Sequence, residues 1–130
     1  MHQNGRKKLN MKSAHRKAML RNQVIHFIKN GVLQTTKPRL KEVQRLTERI
    51  VTLARVGYDF NTIRRIKAML PYDEAAVVKL IKEIAPKYVG RPGGYTRVIP
   101  LGRRTSDTAP IARLEWIQCI EKLENQTSAL

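Results

Sequence analysis

From Ser13 to Asn30 the chain runs without Gly or Pro, and Leu20, Val24, Phe27 and Ile28 recur at the three-and-four spacing of one helix face. That pattern predicts a helix with Ser13 as its N-cap. Gly31 is placed to end it in a left-handed conformation. Val32 to Thr36 is short, apolar and β-branched, and reads as a strand. Pro38 suits the first turn of a second helix, with Thr36 or Lys37 as its cap. Leu40, Val43, Leu46, Thr47, Ile50, Leu53 and Ala54 keep the helical repeat there, and Gly57 closes it. A third helix opens at Asn61, presents Ile63, Ile66 and Leu70 on one face, and stops at Pro71. A fourth is capped by Asp73, buries Val77, Leu80, Ile81 and Ile84, and ends before Pro86.

After Pro86 the texture changes. Gly90, Pro92, Gly93 and Gly94 make a turn-rich loop, Tyr95 to Leu101 reads as a strand, and Gly102 to Pro110 is a second loop. Ile111 to Gln118 sets Ala112, Leu114 and Trp116 against Arg113 and Glu115, the alternation of a half-buried strand. The order helix, strand, three helices, two strands predicts an α+β, two-layer single domain with a small mixed sheet, spanning residues 13–120. A basic arm, residues 1–12, precedes it and is expected to stay disordered until it meets a partner. A polar tail, residues 121–130, follows it.

Composition adds exclusions. Apolar residues are 42% of 130, enough for a modest core. The longest apolar run is Ala75 to Val78, so no segment reaches the roughly 18 residues of a membrane-spanning helix. Cys119 is the single cysteine, which excludes an internal disulfide and a Cys-based structural zinc site. Charge changes the picture most. Lys plus Arg is 26 against 10 Asp plus Glu, a formal net charge of +16. So much like charge repels itself unless a polyanion neutralises it. It is also concentrated. Residues 1–22 carry Arg6, Lys7, Lys8, Lys12, Arg16, Lys17 and Arg21 with no acid, and residues 91–106 carry Arg91, Arg97, Arg103 and Arg104 with none.

The chemistry-bearing residues do not converge on an active site. Cys119 sits in an apolar strand and reads as a small core residue. His2, His15 and His26 show no metal-helix spacing, and no His-Glu-x-x-His motif occurs. His15 lies among cations and suits base stacking or hydrogen bonding; His26 reads as structural. Asp73 and Glu74 belong at a helix start. The Gly90–Gly94 stretch precedes a strand and lacks the Gly-Lys-Ser/Thr of a phosphate-binding loop. The reading is therefore not an enzyme, with no catalytic residue, metal site or cofactor. The binding features are better formed. Gly93 and Gly94 allow close backbone approach. Tyr95 offers a flat face, Thr96 and Arg97 offer donors to phosphate or a 2′-hydroxyl, and Arg91, Arg103 and Arg104 flank them.

These residues also carry a family resemblance. Gly5-Arg6, Leu9-Asn10, Ser13, His15-Arg16, Ala18 and Arg21-Asn22 reproduce an N-terminal signature. Thr35-Thr36-Lys37 with Lys41-Glu42, Glu48 to Ala54, Ile84 to Tyr88, Gly93 to Val98, and Arg103-Arg104 with Asp107 and Ala109-Pro110 follow in order. Over residues 5–118 the chain resembles the bacterial-type large-subunit ribosomal protein seventeen family. The resemblance implies a structural constituent of the large ribosomal subunit. It would bind large-subunit ribosomal RNA near the nascent-chain exit tunnel, beside other large-subunit proteins, and support subunit assembly. It implies a place on the ribosome, in bacterial cytoplasm or an organelle such as the mitochondrial matrix. No membrane partner and no small-molecule substrate are expected. Motif and charge together assign RNA contact to Arg6, Lys7, Lys8, Asn10, Lys12, Ser13, His15, Arg16, Lys17, Arg21 and Asn22. The second cluster adds Arg91, Gly93, Gly94, Tyr95, Thr96, Arg97, Arg103 and Arg104. Three rivals are weaker. A free nucleic-acid regulator lacks helix-turn-helix or zinc-finger spacing. An RNA-modifying enzyme lacks a cofactor loop, and membrane-surface attachment lacks a basic helix with large apolar anchors.

Overall fold

A computed structural model describes residues 7–117; Arg6, Cys119 and the tail 121–130 lie outside the described residues. Helix α1 spans Ser13–Asn30, β1 Val32–Thr36, α2 Lys37–Ala54, α3 Phe60–Met69 and α4 Glu74–Lys79. Strands β2, Thr96–Arg103, and β3, Pro110–Trp116, complete the domain. The expected element order holds throughout. The N-cap of α1 is Lys12 rather than Ser13, which lies one residue inside the helix. Gly31 takes the left-handed conformation at φ 78° and its N–H donates to the Phe27 carbonyl. Asp73 caps α4 through Oδ1, which accepts from the Ala76 N–H at 3.1 Å.

Beyond Lys79 the helix widens into a π-turn, Leu80–Ile84, and then tightens into a 3₁₀ turn, Ala85–Tyr88. Pro86 supplies the cause. It has no N–H for the Lys82 carbonyl, and its ring crowds the preceding turn, so the ladder slips rather than continuing. The consequence is positional: the last turn delivers Tyr88 to the core, where it is buried.

The sheet has the order β1-β3-β2, and both pairings are antiparallel. This corrects the expected mixed sheet. A short hairpin makes β2 and β3 antiparallel to each other. With the strand directions seen here, β1 beside β2 would be parallel to it, and β1 beside β3 is antiparallel. Placing β3 in the middle therefore decides the sheet type, and strand order across a long helical excursion is not written in local sequence. Leu33 pairs with Leu114 and Thr35 with Ala112, which turns the apolar faces of β1 and β3 to the same side. Helix α2 lies on that side against all three strands. The β2–β3 register slips between Pro100 and Gly102, a bulge at Leu101 that carries β2 on to Arg103, past the expected strand end.

The core is built largely from the residues the periodicity selects, with Val51 added by the packing of α2. Val24, Phe27 and Ile28 of α1, Leu40, Val43, Ile50 and Val51 of α2, Ile66 of α3 and Leu80 beyond α4 are all essentially inaccessible. Ala112 and Leu114 close the sheet side, and Leu20, Leu46, Leu53 and Ile63 pack at the margin. An aromatic stack seals the end of the sheet. Phe27 and Trp116 lie with ring centroids 4.5 Å apart, and Trp116 stacks further on Tyr88 at 6.0 Å. Phe27→Ala should remove both the buried ring and that stack. The expected cost is about 3–5 kcal/mol, read as a lower urea midpoint by circular dichroism. A loss under about 1 kcal/mol would show that the core closes without Phe27.

Candidate nucleic-acid interface

The segment between Tyr88 and β2 is held by one face of α2. Glu48, Thr52 and Arg55 recur at the spacing that lines up side chains along a helix. The Glu48 carboxylate accepts the Gly94 N–H on Oε2 at 3.0 Å. Its Oε1 accepts the Thr96 N–H at 3.1 Å and the Thr96 hydroxyl at 2.7 Å. Gln44, one turn earlier, donates to Thr96 Oγ1 at 3.3 Å. Arg55 donates from Nη1 to the Tyr95 hydroxyl at 2.9 Å and also to the Arg91 carbonyl. Thr52 Oγ1 lies 3.1 Å from the same hydroxyl. Arg91 Nε turns inward to the Gly93 carbonyl at 3.1 Å. The loop is thus a clamped structural element.

That geometry changes the roles of four predicted residues. Tyr95 is 0% exposed and Thr96 4%. The Tyr95 ring packs on Tyr88 with centroids 5.3 Å apart, and its hydroxyl is engaged by α2. It has no face left for a base, which corrects the stacking role expected of it. Thr96 is likewise occupied by Glu48 and Gln44. Gly94 holds φ 63°, while a Cβ there would meet only Arg91 Nη2 at 4.0 Å. The glycine serves the left-handed backbone that aims its N–H at Glu48, not room for a partner. Gly93 remains at the surface of the loop, with no neighbour within 4 Å of an added Cβ.

The cations of this segment stay outside. Arg97 is exposed on β2, with Nε 3.7 Å from Glu115, a carboxylate that Arg113 shares at 3.5 Å. Arg103 and Arg104 ride the hairpin tip, where residues 101–108 are all exposed. The tip is rigid by its own bonds. Arg103 Nη1 donates to the Thr108 carbonyl at 3.1 Å. Arg104 grips Asp107 as a fork, at 2.9 Å from Nε and 2.6 Å from Nη2. Asp107 also accepts the Ala109 N–H at 3.2 Å. The hydrogen bonds from Arg104 hold the Asp107 carboxyl down at about 2, and the same partner raises Arg104.

The N-terminal cluster forms a second surface. Its described portion does not run free as the arm was expected to. The Lys7 N–H donates to Glu42 Oε1 of α2 at 3.1 Å, Leu9 and Asn10 turn at positive φ, and Arg16 Nη1 reaches the Met11 carbonyl at 3.4 Å. Lys8, Asn10, Lys12, Ser13, His15, Lys17 and Asn22 are exposed, with Arg16 and Arg21 half-buried at their stems. No acid lies in the first turn of α1 and no side chain caps it. Backbone N–H groups and cations therefore share one end of the helix, an arrangement that favours an anion.

The sequence reading gave no contact or structural role to Glu42, Arg45, Glu48, Arg49 and Arg55. One signal could have found part of the set: Lys41, Arg45 and Arg49 repeat every fourth residue, a cation row along α2. Glu48 has no such signal, because its partners sit more than forty residues away.

Two outcomes follow from this geometry. Glu48→Ala leaves the part-buried Thr96 N–H without its acceptor and the exposed Gly94 N–H to water, and should lower stability by roughly 1–3 kcal/mol, with amide exchange rising at Gly94 and Thr96. Unchanged exchange there would remove Glu48 from its role. At the hairpin tip the Asp107 carboxyl is depressed from 3.8 to about 2. The Arg104–Asp107 pair therefore orders the tip fully above pH 4 and loses its hold as pH falls through about 2. A carboxyl NMR titration of Asp107 should show that low midpoint, and Arg104→Ala should move it back toward 3.8.

Comparison with known proteins accounts for nearly all of the chain. The family model described as Ribosomal protein L17 matches residues 19–117. The large ribosomal subunit protein bL17 of Aliarcobacter butzleri (strain RM4018) is 47% identical over 116 residues, covering 89% of this chain and 98% of the relative. That of Sulfurovum sp. (strain NBC37-1) is 45% identical over 116 residues, covering 89% and 98%. That of Alkaliphilus metalliredigens (strain QYMF) is 45% identical over 111 residues, covering 85% and 96%. With the family model spanning most of the residues and relatives aligned almost end to end, this chain belongs to the ribosomal protein L17 family, whose members are structural components of the large ribosomal subunit and not enzymes.

Proposed function

We propose that this protein binds large-subunit ribosomal RNA near the nascent-chain exit tunnel and supports assembly of the subunit, acting as a scaffold. The observation that carries this reading is the separation of charge within the fold. The acids nearest the two basic clusters are bonded to the protein itself: Glu42 to Lys7 and Arg45, Glu48 to the 93–96 loop, Glu115 to Arg97 and Arg113, Asp107 to Arg104. The cations of the α1 start make no ion pair among the described residues, and Arg97 and Arg104 stay exposed beside their carboxylates, on a chain of net charge +16. A phosphate backbone neutralises such surfaces and gains affinity by releasing counterions. Arg6, Lys7, Lys8, Lys12, Arg16, Lys17 and Arg21 make the N-terminal contacts, with Asn10, Ser13, His15 and Asn22 hydrogen-bonding among them. Arg91, Arg97, Arg103 and Arg104 make the second set, with Gly93 exposing backbone N–H and C=O beside them. Tyr95, Thr96 and Gly94 position this second set from within the fold. RNA shape and 2′-hydroxyls, more than base identity, set the choice of site. Neighbouring large-subunit proteins complete the partners, and the ribosome of a bacterial cytoplasm or an organelle matrix is the location.

Sedimentation of the tagged protein from native lysate tests the reading directly. Co-migration with large subunits that survives moderate salt is expected; a protein confined to the top of the gradient would sink it. Arg6→Ala, Arg16→Ala and Arg21→Ala combined should flatten the log–log salt dependence of RNA affinity by about 2–3, near one unit for each phosphate no longer neutralised. An unchanged slope would remove the arm from the interface.

A further inference from the structure

A groove runs between α1 and α2, about 330 Å³ in volume, with cations on both banks: Lys17 and Arg21 from α1, Arg45 and Arg49 from α2. Its floor is Leu20, Leu46 and Met69. A second depression of about 660 Å³ continues between α2 and α3, with Arg49 and Met69 as its shared wall, Leu53 and Ala68 beneath, and Arg65 on the far bank. Both fall within the ~300–1,000 Å³ range of concavities that bury a ligand. Lys17, Arg21, Arg49 and Arg65 make no ion pair among the described residues. The single acid of the groove is Glu42, 8% exposed, whose carboxylate accepts from the Lys7 N–H and from Arg45. That bond also seats Lys7 beside the groove.

We propose that this two-part groove across α1, α2 and α3 is a track for a single-stranded stretch of RNA, its phosphates on Lys17, Arg21, Arg49 and Arg65 and its sugars or bases on the Leu and Met floor. The inference rests on the RNA-binding reading above and extends the N-terminal surface, whose Lys17 and Arg21 it shares, on to α2 and α3. Charge selects a polyanion. Cations recur beside the apolar lining, with Arg49 exposed on the wall where the two depressions meet, and that recurrence favours a nucleotide chain over an acidic amphipathic helix. A nucleotide strand repeats anion and apolar ring at every step and places a phosphate at that point.

The test uses the full chain, a short fluorescein-labelled oligouridylate and a potassium chloride series. Arg49→Ala with Arg65→Ala should make the log–log salt slope shallower by about 1.4, at ~0.7 for each phosphate neutralised on a single strand. Arg49→Lys with Arg65→Lys should restore most of it. Both side chains are exposed, so melting should not move. Where the alanine pair melts early, photo-cross-links from a 4-thiouridine version to the unaltered protein decide instead. Adducts on peptides carrying Leu53 or Met69 support the track, and adducts confined elsewhere overturn it. An unchanged slope in the alanine pair, while the arm variant still flattens it, overturns the track and leaves RNA binding standing. Failure of the unaltered protein to bind the oligomer or ribosomal RNA overturns both. An acidic amphipathic peptide that binds the unaltered protein and loses affinity in the alanine pair, with RNA unaffected, overturns the track and assigns the groove to a protein neighbour.

Discussion

One carboxylate organises the second half of the molecule. Glu48 stands in mid-helix and accepts three hydrogen bonds where the glycine loop meets β2, one from Gly94 and two from Thr96. Hydrogen bonds to an ionised acceptor are roughly twice as strong as neutral ones. They also have direction, so they fix where β2 starts. Once Thr96 is pinned, Tyr95 has one place to go, into the core against Tyr88, with its hydroxyl bonded by α2. The register of β2 on β3 then follows from Thr96 opposite Trp116, and Trp116 completes the stack on Phe27. A loop of glycines becomes a rigid joint between helix layer and sheet layer.

The placement of the acids shapes the surface as well. A chain with 10 acidic and 26 basic residues could scatter its ion pairs evenly. Here the acids near the clusters answer internal needs. Glu42 ties the N-terminal segment to α2, and Glu48 clamps the loop. Asp73 caps α4 and meets Lys29, and Asp107 braces the hairpin tip. Glu42 and Glu48 direct their charge in part to backbone N–H groups, whereas Asp73 and Asp107 each offset one surface cation. Surface ion pairs of this sort add little stability by themselves. Their effect is geometric, because they hold arginines where a polyanion can reach several at once. For a component of the large ribosomal subunit, order at the contact surface reduces the entropy lost on docking.

Much of the fold is legible in the sequence. Val24, Phe27 and Ile28, then Leu40, Val43 and Ile50, announce their helices through spacing, and Gly31 and Asp73 mark ends through backbone preferences that need no distant partner. The basic clusters are legible for a similar reason: charge is a property of composition along a stretch. Tyr95 is not, because an aromatic beside glycines and arginines looks identical whether its ring faces solvent or core. The sheet type is hidden in the same way, since the middle strand is chosen by which apolar faces meet across α2.

The sequence by itself determined the helix faces, the turn positions, the basic character of two segments and the family. The family rests on the resemblance carried by its ordered motifs; the others are local or compositional quantities, settled by periodicity, backbone propensity and net charge. Tertiary structure decided the strand order, the burial of Tyr95, the clamp of Glu48 and the gathering of Arg21 with Arg49, and of Arg49 with Arg65, around two adjoining depressions. Each of those depends on groups far apart in the chain. Their bonds exist only after the helices have packed, so no window of neighbouring residues carries the information.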